Sequence, residues 1–226
     1  MHVPDGVLGL EVVAATSVIG LAGFGVVLRQ LHRSLRDQTP VLMGTMAAFV
    51  FAAQMVNFTL YPLPISGHLL GGVLTSVLLG PWAGAGVIGA VLIVQCLLFG
   101  DGGLLALGAN FVNMGLIGAL GGYAIYAPIR RAIGGTTGVL IGAMAAAWFS
   151  VLLSAGAFSL EMTASGRGIP FLQVLGWMGL VHAAIGVGEA IITGLVLRFL
   201  LLTRPDLIMT ADLSAQAKGD APPTLE

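Results

Sequence analysis

Of the four histidines in this 226-residue chain, two stand where their chemistry would be specific. His2 is the second residue. With a free α-amine on Met1, that amine, the backbone nitrogen of His2 and the His2 imidazole Nδ1 can close two fused chelate rings in one plane around a single ion. Late first-row divalent ions, Ni(II) and Cu(II) above all, accept this square set of nitrogens and can displace the amide proton. One in-plane position stays open, and His68 is the candidate to fill it. The bland alternative is a histidine on a frayed chain end. Against it stand the size of His2, too large for ready removal of the initiator methionine, and the cost of keeping an imidazole close to lipid without a purpose.

His2 and His68 can meet only if the intervening elements bring them to one end of the fold. The chain is 57% hydrophobic and 8% charged, with mean hydropathy +1.00, whereas soluble domains carry about a quarter charged residues. The lipid bilayer is the expected solvent. Apolar segments at roughly 7–28, 40–61, 68–80, 82–99, 104–126, 136–159 and 172–202 predict an all-α polytopic bundle of about seven transmembrane helices. The third is short for a hydrocarbon core of about 30 Å, so it could thin the bilayer or turn back as a re-entrant segment. Charge favours a crossing. With seven spans and the N-terminus outside, Arg29, Arg33, Arg36, Arg130, Arg131, Arg198 and Arg204 all fall on the cytoplasmic side and Arg167 alone outside; a re-entrant third segment would invert every later loop. The reading is N-out and C-in, with His2 and His68 both extracytoplasmic. Residues 1–203 form the membrane-embedded unit and 204–226 a disordered cytoplasmic tail. The spacings Gly80/Gly84, Gly118/Gly122 and Gly138/Gly142 are expected to serve close helix packing.

Other chemistries find little to work with. The chain carries a net charge of -1, which offers no basic field for nucleic acid. Lys218, the only lysine, lies in the polar tail and not in a G-x-x-x-x-G-K-[ST] loop, so no ATP is bound by this chain and any ATP dependence must come from another polypeptide. The chain is therefore read as having no ATPase site of its own. Cys96 reads as a small buried hydrophobe, and His32 as a solvated residue of the first cytoplasmic loop. His182 and Glu189 share one face of the last helix, two turns apart. They could make a structural contact, gate the bundle, or serve a self-sufficient secondary permease or intramembrane enzyme, which is the alternative function.

Three stretches occur in the order of a known family: Met1-His2-Val3-Pro4-Asp5-Gly6, Ile65-Ser66-Gly67-His68-Leu69-Leu70-Gly71-Gly72, and Phe99-Gly100-Asp101-Gly102-Gly103-Leu104 through Gly108-Ala109-Asn110 to Asn113-Met114-Gly115. From Met1 to about Thr203 the chain resembles the CbiM/NikM family, the substrate-binding membrane components of energy-coupling-factor type cobalt and nickel transporters. The resemblance implies a prokaryotic inner or plasma membrane and a metal site made of the Met1 amine, the His2 backbone and imidazole nitrogens, and His68. It implies Ni2+ or Co2+ as the transported substrate, and as partners a transmembrane coupling protein, a cytoplasmic ATPase pair and a small additional membrane subunit. Nickel-type members tend to begin MHIPDG and cobalt-type ones MHIMEG, so Pro4-Asp5 leans to nickel. Asn57, Asp101, Asn110 and Asn113 are candidates either for loop capping and interhelical hydrogen bonds or for orienting the metal histidines.

Overall fold

The computed structural model describes residues 2–34, 39–59 and 66–210. It is nearly all helical. Seven helices follow in order: α1 (Leu10–Ser34) and α2 (Thr39–Met55), α3 (Gly72–Leu79), then α4 (Pro81–Phe99), α5 (Leu107–Ile133), α6 (Gly135–Ala164) and α7 (Phe171–Thr203). Five of them, α1 and α4 to α7, are long and apolar enough to cross a membrane. The chain is a multi-pass membrane protein. The only strands among the described residues are β1 (Phe58–Thr59) and β2 (Ser66–Gly67), an antiparallel pair of two residues each.

Glycine lets the helices approach where a side chain would not fit. A Cβ on Gly108 of α5 would stand 2.5 Å from the Ser17 Cα of α1, and one on Gly84 of α4 would stand 2.6 Å from the Ser76 backbone of α3. Gly122, Gly138 and Gly142 also lie at contacts where an added Cβ would crowd a neighbour, as the small-residue spacing predicts. Gly80 differs: with φ +90 it makes the turn between α3 and α4. Two stretches, Gln95–Phe99 in α4 and Val112–Gly121 in α5, are wound as π-helix, a form that tends to appear where a side chain must be re-aimed at a functional site.

The short third segment traverses the bundle. Its eight helical residues rise only about 12 Å, and all eight are buried. The non-helical residues 68–71 ahead of α3 extend the reach at about 3.3 Å each. His68 at its head stacks on His2, and Asp101, just past the end of α4, sits 3.2 Å from the same His2. Segment 68–80 therefore descends as far as α4 climbs. Irregular backbone at this depth is tolerated because it is enclosed by protein and its polar groups are satisfied there: the Glu189 carboxylate of α7 accepts from the N–H groups of Leu70 (2.8 Å) and Gly71 (2.6 Å), and the Gln54 amide of α2 donates to the Leu70 carbonyl (2.7 Å).

This arrangement sorts the charges. Arg167 donates to the carbonyls of Gly6, Val7 and Leu8 at the His2 end. Arg29, Arg33, Arg130, Arg131, Arg198 and Arg204 fall at or near the far ends of α1, α5 and α7. Arg36 lies outside the described residues. At that far end the chain stays packed beyond the expected boundary at 203: Pro205–Leu207 forms a 3-10 turn, Ile208 is buried, and Met209 donates its N–H to the Leu78 carbonyl of α3 (2.8 Å). Residues 211–226 of the expected tail lie outside the described residues. Cys96, expected to be buried, is half-exposed on α4.

Candidate metal centre

The site begins with residues 2–8, which do not fray. Val3, Val7 and Leu8 are buried in a core cluster with Ala106, Ala109, Ala155 and Phe158. Polar groups fix the path of this segment. Asn110 clamps Val3 from both sides, accepting its N–H (2.8 Å) and donating to its carbonyl (3.1 Å), while Gly103 N–H bonds the same carbonyl at 2.9 Å. Asp5 turns its carboxylate onto the N–H groups of Leu104, Leu105 and Ala106. A carboxylate belongs there, because those donors open the helical turn that leads into α5.

His2 is thereby held inside the protein at 2% exposure, and His68, also at 2%, is its neighbour. Their rings lie 4.3 Å apart between centroids with 24° between planes. Two imidazoles bound side by side to one ion, at metal–nitrogen distances of about 2.0 Å, would place their centroids roughly 4.4 Å apart. The spacing suits a shared ion; the face-to-face orientation means that at least one ring must turn for both lone pairs to reach it. His68 Nδ1 lies 2.7 Å from the Leu69 carbonyl, so it carries the proton and Nε2 presents the lone pair.

Asp101 touches His2 directly, Oδ1 standing 3.2 Å from Nδ1, while its other oxygen accepts from Asn57 at 3.1 Å. The contact is closer to the chemistry than an orienting role would be, since Nδ1 is the atom the chelate would use. Burial lowers the His2 pKa, with the Asp101 hydrogen bond opposing. For Asp101 burial pushes upward, but the hydrogen bond and charge of His2 prevail and hold the carboxyl below its usual range. The fully buried Gln95, at the start of the first π stretch, lies against His2 with its amide outside hydrogen-bonding geometry. It was not singled out in the sequence, where its signal was a polar residue inside an apolar run.

Asn57, Asp101 and Asn110 thus converge on His2 and Val3. Asn113 does not: its amide donates to Glu161 of α6 at 2.9 Å, and its carbonyl accepts from Ser154 at 2.7 Å, which makes it an α5–α6 tie. Met1 lies outside the described residues. Among those described, no cluster of three His, Cys, Asp or Glu could hold an ion, so side chains alone do not complete a coordination shell here. His182 and Glu189 are both buried, with His182 Nδ1 against the Met178 carbonyl (2.8 Å) and Glu189 committed to the loop before α3.

Comparison with known proteins gives the chain its relatives. Residues 2–207 match the family model CbiM, described as the cobalt uptake substrate-specific transmembrane region. A putative fused nickel transport protein NikMN of Archaeoglobus fulgidus is 37% identical over 213 residues, covering 92% of this chain and 68% of that protein. The cobalt transport protein CbiM of Sorangium cellulosum is 30% identical, covering 97% of this chain and 99% of its own. A solved transition metal transporter superposes with TM-score 0.81 at 27% identity, over 96% of this chain and 99% of that one. On the match across nearly its whole described length, the chain belongs to the CbiM family.

Proposed function

We propose that this chain is the substrate-capture subunit of an energy-coupling-factor type transporter for nickel or cobalt, binding the ion through the Met1 amine, the His2 backbone nitrogen and imidazole, and His68. The observation that carries the reading is the enclosed pair His2–His68, 4.3 Å apart, on a chain start that Asn110 and Asp5 pin in place. Between the two ions, a donor set of nitrogens in one plane suits Ni(II) better than Co(II), and Pro4-Asp5 leans the same way. Loading exchanges protons for metal. The ion takes the place of the proton between His2 Nδ1 and Asp101, which in the neutral ring moves to Nε2, and the amide proton and an amine proton are released; Asp101 is then free to accept a hydrogen bond from the bound amine.

ATP hydrolysis and the coupling step belong to partners: a transmembrane coupling protein, an ATPase pair, and a small additional membrane subunit. The arginines at the far end favour that end as cytoplasmic, which puts His2 outside a prokaryotic plasma membrane. In a Cys96-free variant, a cysteine within 162–168 should react with an impermeant reagent from outside, and one at Gly135 should not; the reverse pattern inverts the orientation. The self-sufficient permease or enzyme built on His182 and Glu189 has less support, because both Glu189 oxygens already serve backbone N–H groups.

The decisive test extends the chain by one residue ahead of Met1. The chelate then loses its terminal amine, so nickel affinity of the purified protein, by titration with elemental analysis, should fall at least about a hundredfold. His32→Ala, remote from the site, should titrate like the unaltered chain. Undiminished affinity in the extended protein rules the chelate out.

A further inference from the structure

His68 is carried on a loop whose own hold on the bundle comes from a residue 121 positions later in the chain. The two peptide N–H groups after His68-Leu69, those of Leu70 and Gly71, converge on Glu189 of α7 at 2.8 and 2.6 Å, one oxygen each. From the opposite side, the Gln54 amide of α2 holds the Leu70 carbonyl at 2.7 Å. Glu189 is 3% exposed, in a bundle where a carboxylate is costly unless its partners are fixed. Two donors aimed at one side chain explain why it is tolerated: a carboxylate offers two acceptor oxygens, whereas a glutamine would set its NH2 against one of the N–H groups. The loop has little freedom otherwise. Gly71 sits at φ +73, and a Cβ there would meet Val50 at 2.9 Å.

We propose that Glu189 is the positioning residue for His68: through the Leu70–Gly71 backbone it holds the ring that closes the metal site, so the lifetime of the bound ion depends on the contact between α7 and this loop. Displacing α7 from the loop would withdraw one ligand while the chelate on His2 stays whole. Capture and release would then differ by the position of a single helix. The proposal rests on reading His68 as a metal ligand.

The test uses the full chain with its native N-terminus, loaded with Ni(II), and follows the absorption spectrum and the rate at which a chelator removes the ion. Glu189→Gln should speed dissociation by about ten- to a hundredfold and move the spectrum towards that of His68→Ala. Placed on the His68→Ala background, the same substitution should add nothing further, because the ligand it positions is already gone. A dissociation rate and spectrum unchanged by Glu189→Gln, in the face of a perturbed His68→Ala, would overturn the proposal alone. So would a loss that adds in full on the His68→Ala background, the mark of a general structural role. If His68→Ala itself behaves like the unaltered chain, the ligand reading fails and this proposal fails with it. Should Glu189→Gln not fold, Gln54→Met loosens the same peptide from the α2 side; it should speed dissociation in the same direction by less, and an unchanged rate there counts equally against the proposal.

Discussion

The two ends of the bundle each hold a stretch of chain outside the long helices, residues 2–8 and 205–210, and they do so by different physics. At one end, residues 2–8 are fixed by side-chain hydrogen bonds to distant elements, with Asn110 on Val3, Asp5 reaching out to the turn before α5, and Arg167 on three successive carbonyls. At the other, residues 205–210 are held mainly by the burial of Ile208 and by hydrogen bonds from Met209 N–H and the Thr210 hydroxyl to α3 carbonyls. Directional bonds set atoms to within a fraction of an ångström, as coordination requires. Burial sets only which surface is covered. The contrast fits the first end as the candidate site and the second as a closure of the core.

The sharpest way to break this comparison is Asn110→Ala. It leaves the buried Val3 N–H without its acceptor, a cost of about 1–3 kcal/mol, and it frees the residue next to the His2 nitrogen of the proposed chelate. Nickel affinity should fall about ten- to a hundredfold, and thermal unfolding of the metal-free protein should come earlier. Affinity unchanged beside a lowered Tm would mean that the clamp serves only the fold.

Acid should have a graded effect. Because burial lowers the His2 pKa, protons compete for that ring only below about pH 6.5, while the Met1 amine, with an ordinary value near 7.7–8.0, competes earlier. Isothermal titration across pH should therefore show two protons released per ion between roughly pH 7.5 and 6.5, and more below that range. The sign for the metal-free fold is the same: below pH 6.5 the unfolded chain binds a proton that native His2 resists, so stability drops as pH falls towards the lowered value. A third proton already released at pH 7 would contradict the depressed imidazole.

The smallest effect on the metal is expected from Ile208→Ala. It should lower the unfolding temperature, as large-to-small core changes costing about 2–5 kcal/mol do, yet leave nickel affinity within about twofold, since the two ends share no partner. A tenfold change would show that the far end reaches the site, and would erase the distinction between them.

The membrane class, the seven helical segments and the pairing of His2 with His68 were legible in the sequence, because lipid imposes long apolar runs and because a histidine at position 2 has one distinctive chelate chemistry. Arginine placement led to the expectation that segment 68–80 crosses; what the fold adds is that His68 and Asp101, at the two ends of the 68–101 stretch, meet at His2. Asn57, Asp101, Asn110 and Asn113 looked alike in the sequence, each a polar residue near a helix end. Only the fold separated Asp101, which sits on His2, from Asn113, which ties α5 to α6. Nor could spacing along the chain reveal that Asp5 caps the turn into α5 or that Glu189 holds the loop of His68, contacts separated by 99 and 119 residues. Periodicity reports which solvent each face meets, and that is a local property. A hydrogen bond between distant helices depends on how they are rotated and how deep they sit against each other, and in lipid those are set by the close packing of small residues, which only the assembled bundle decides.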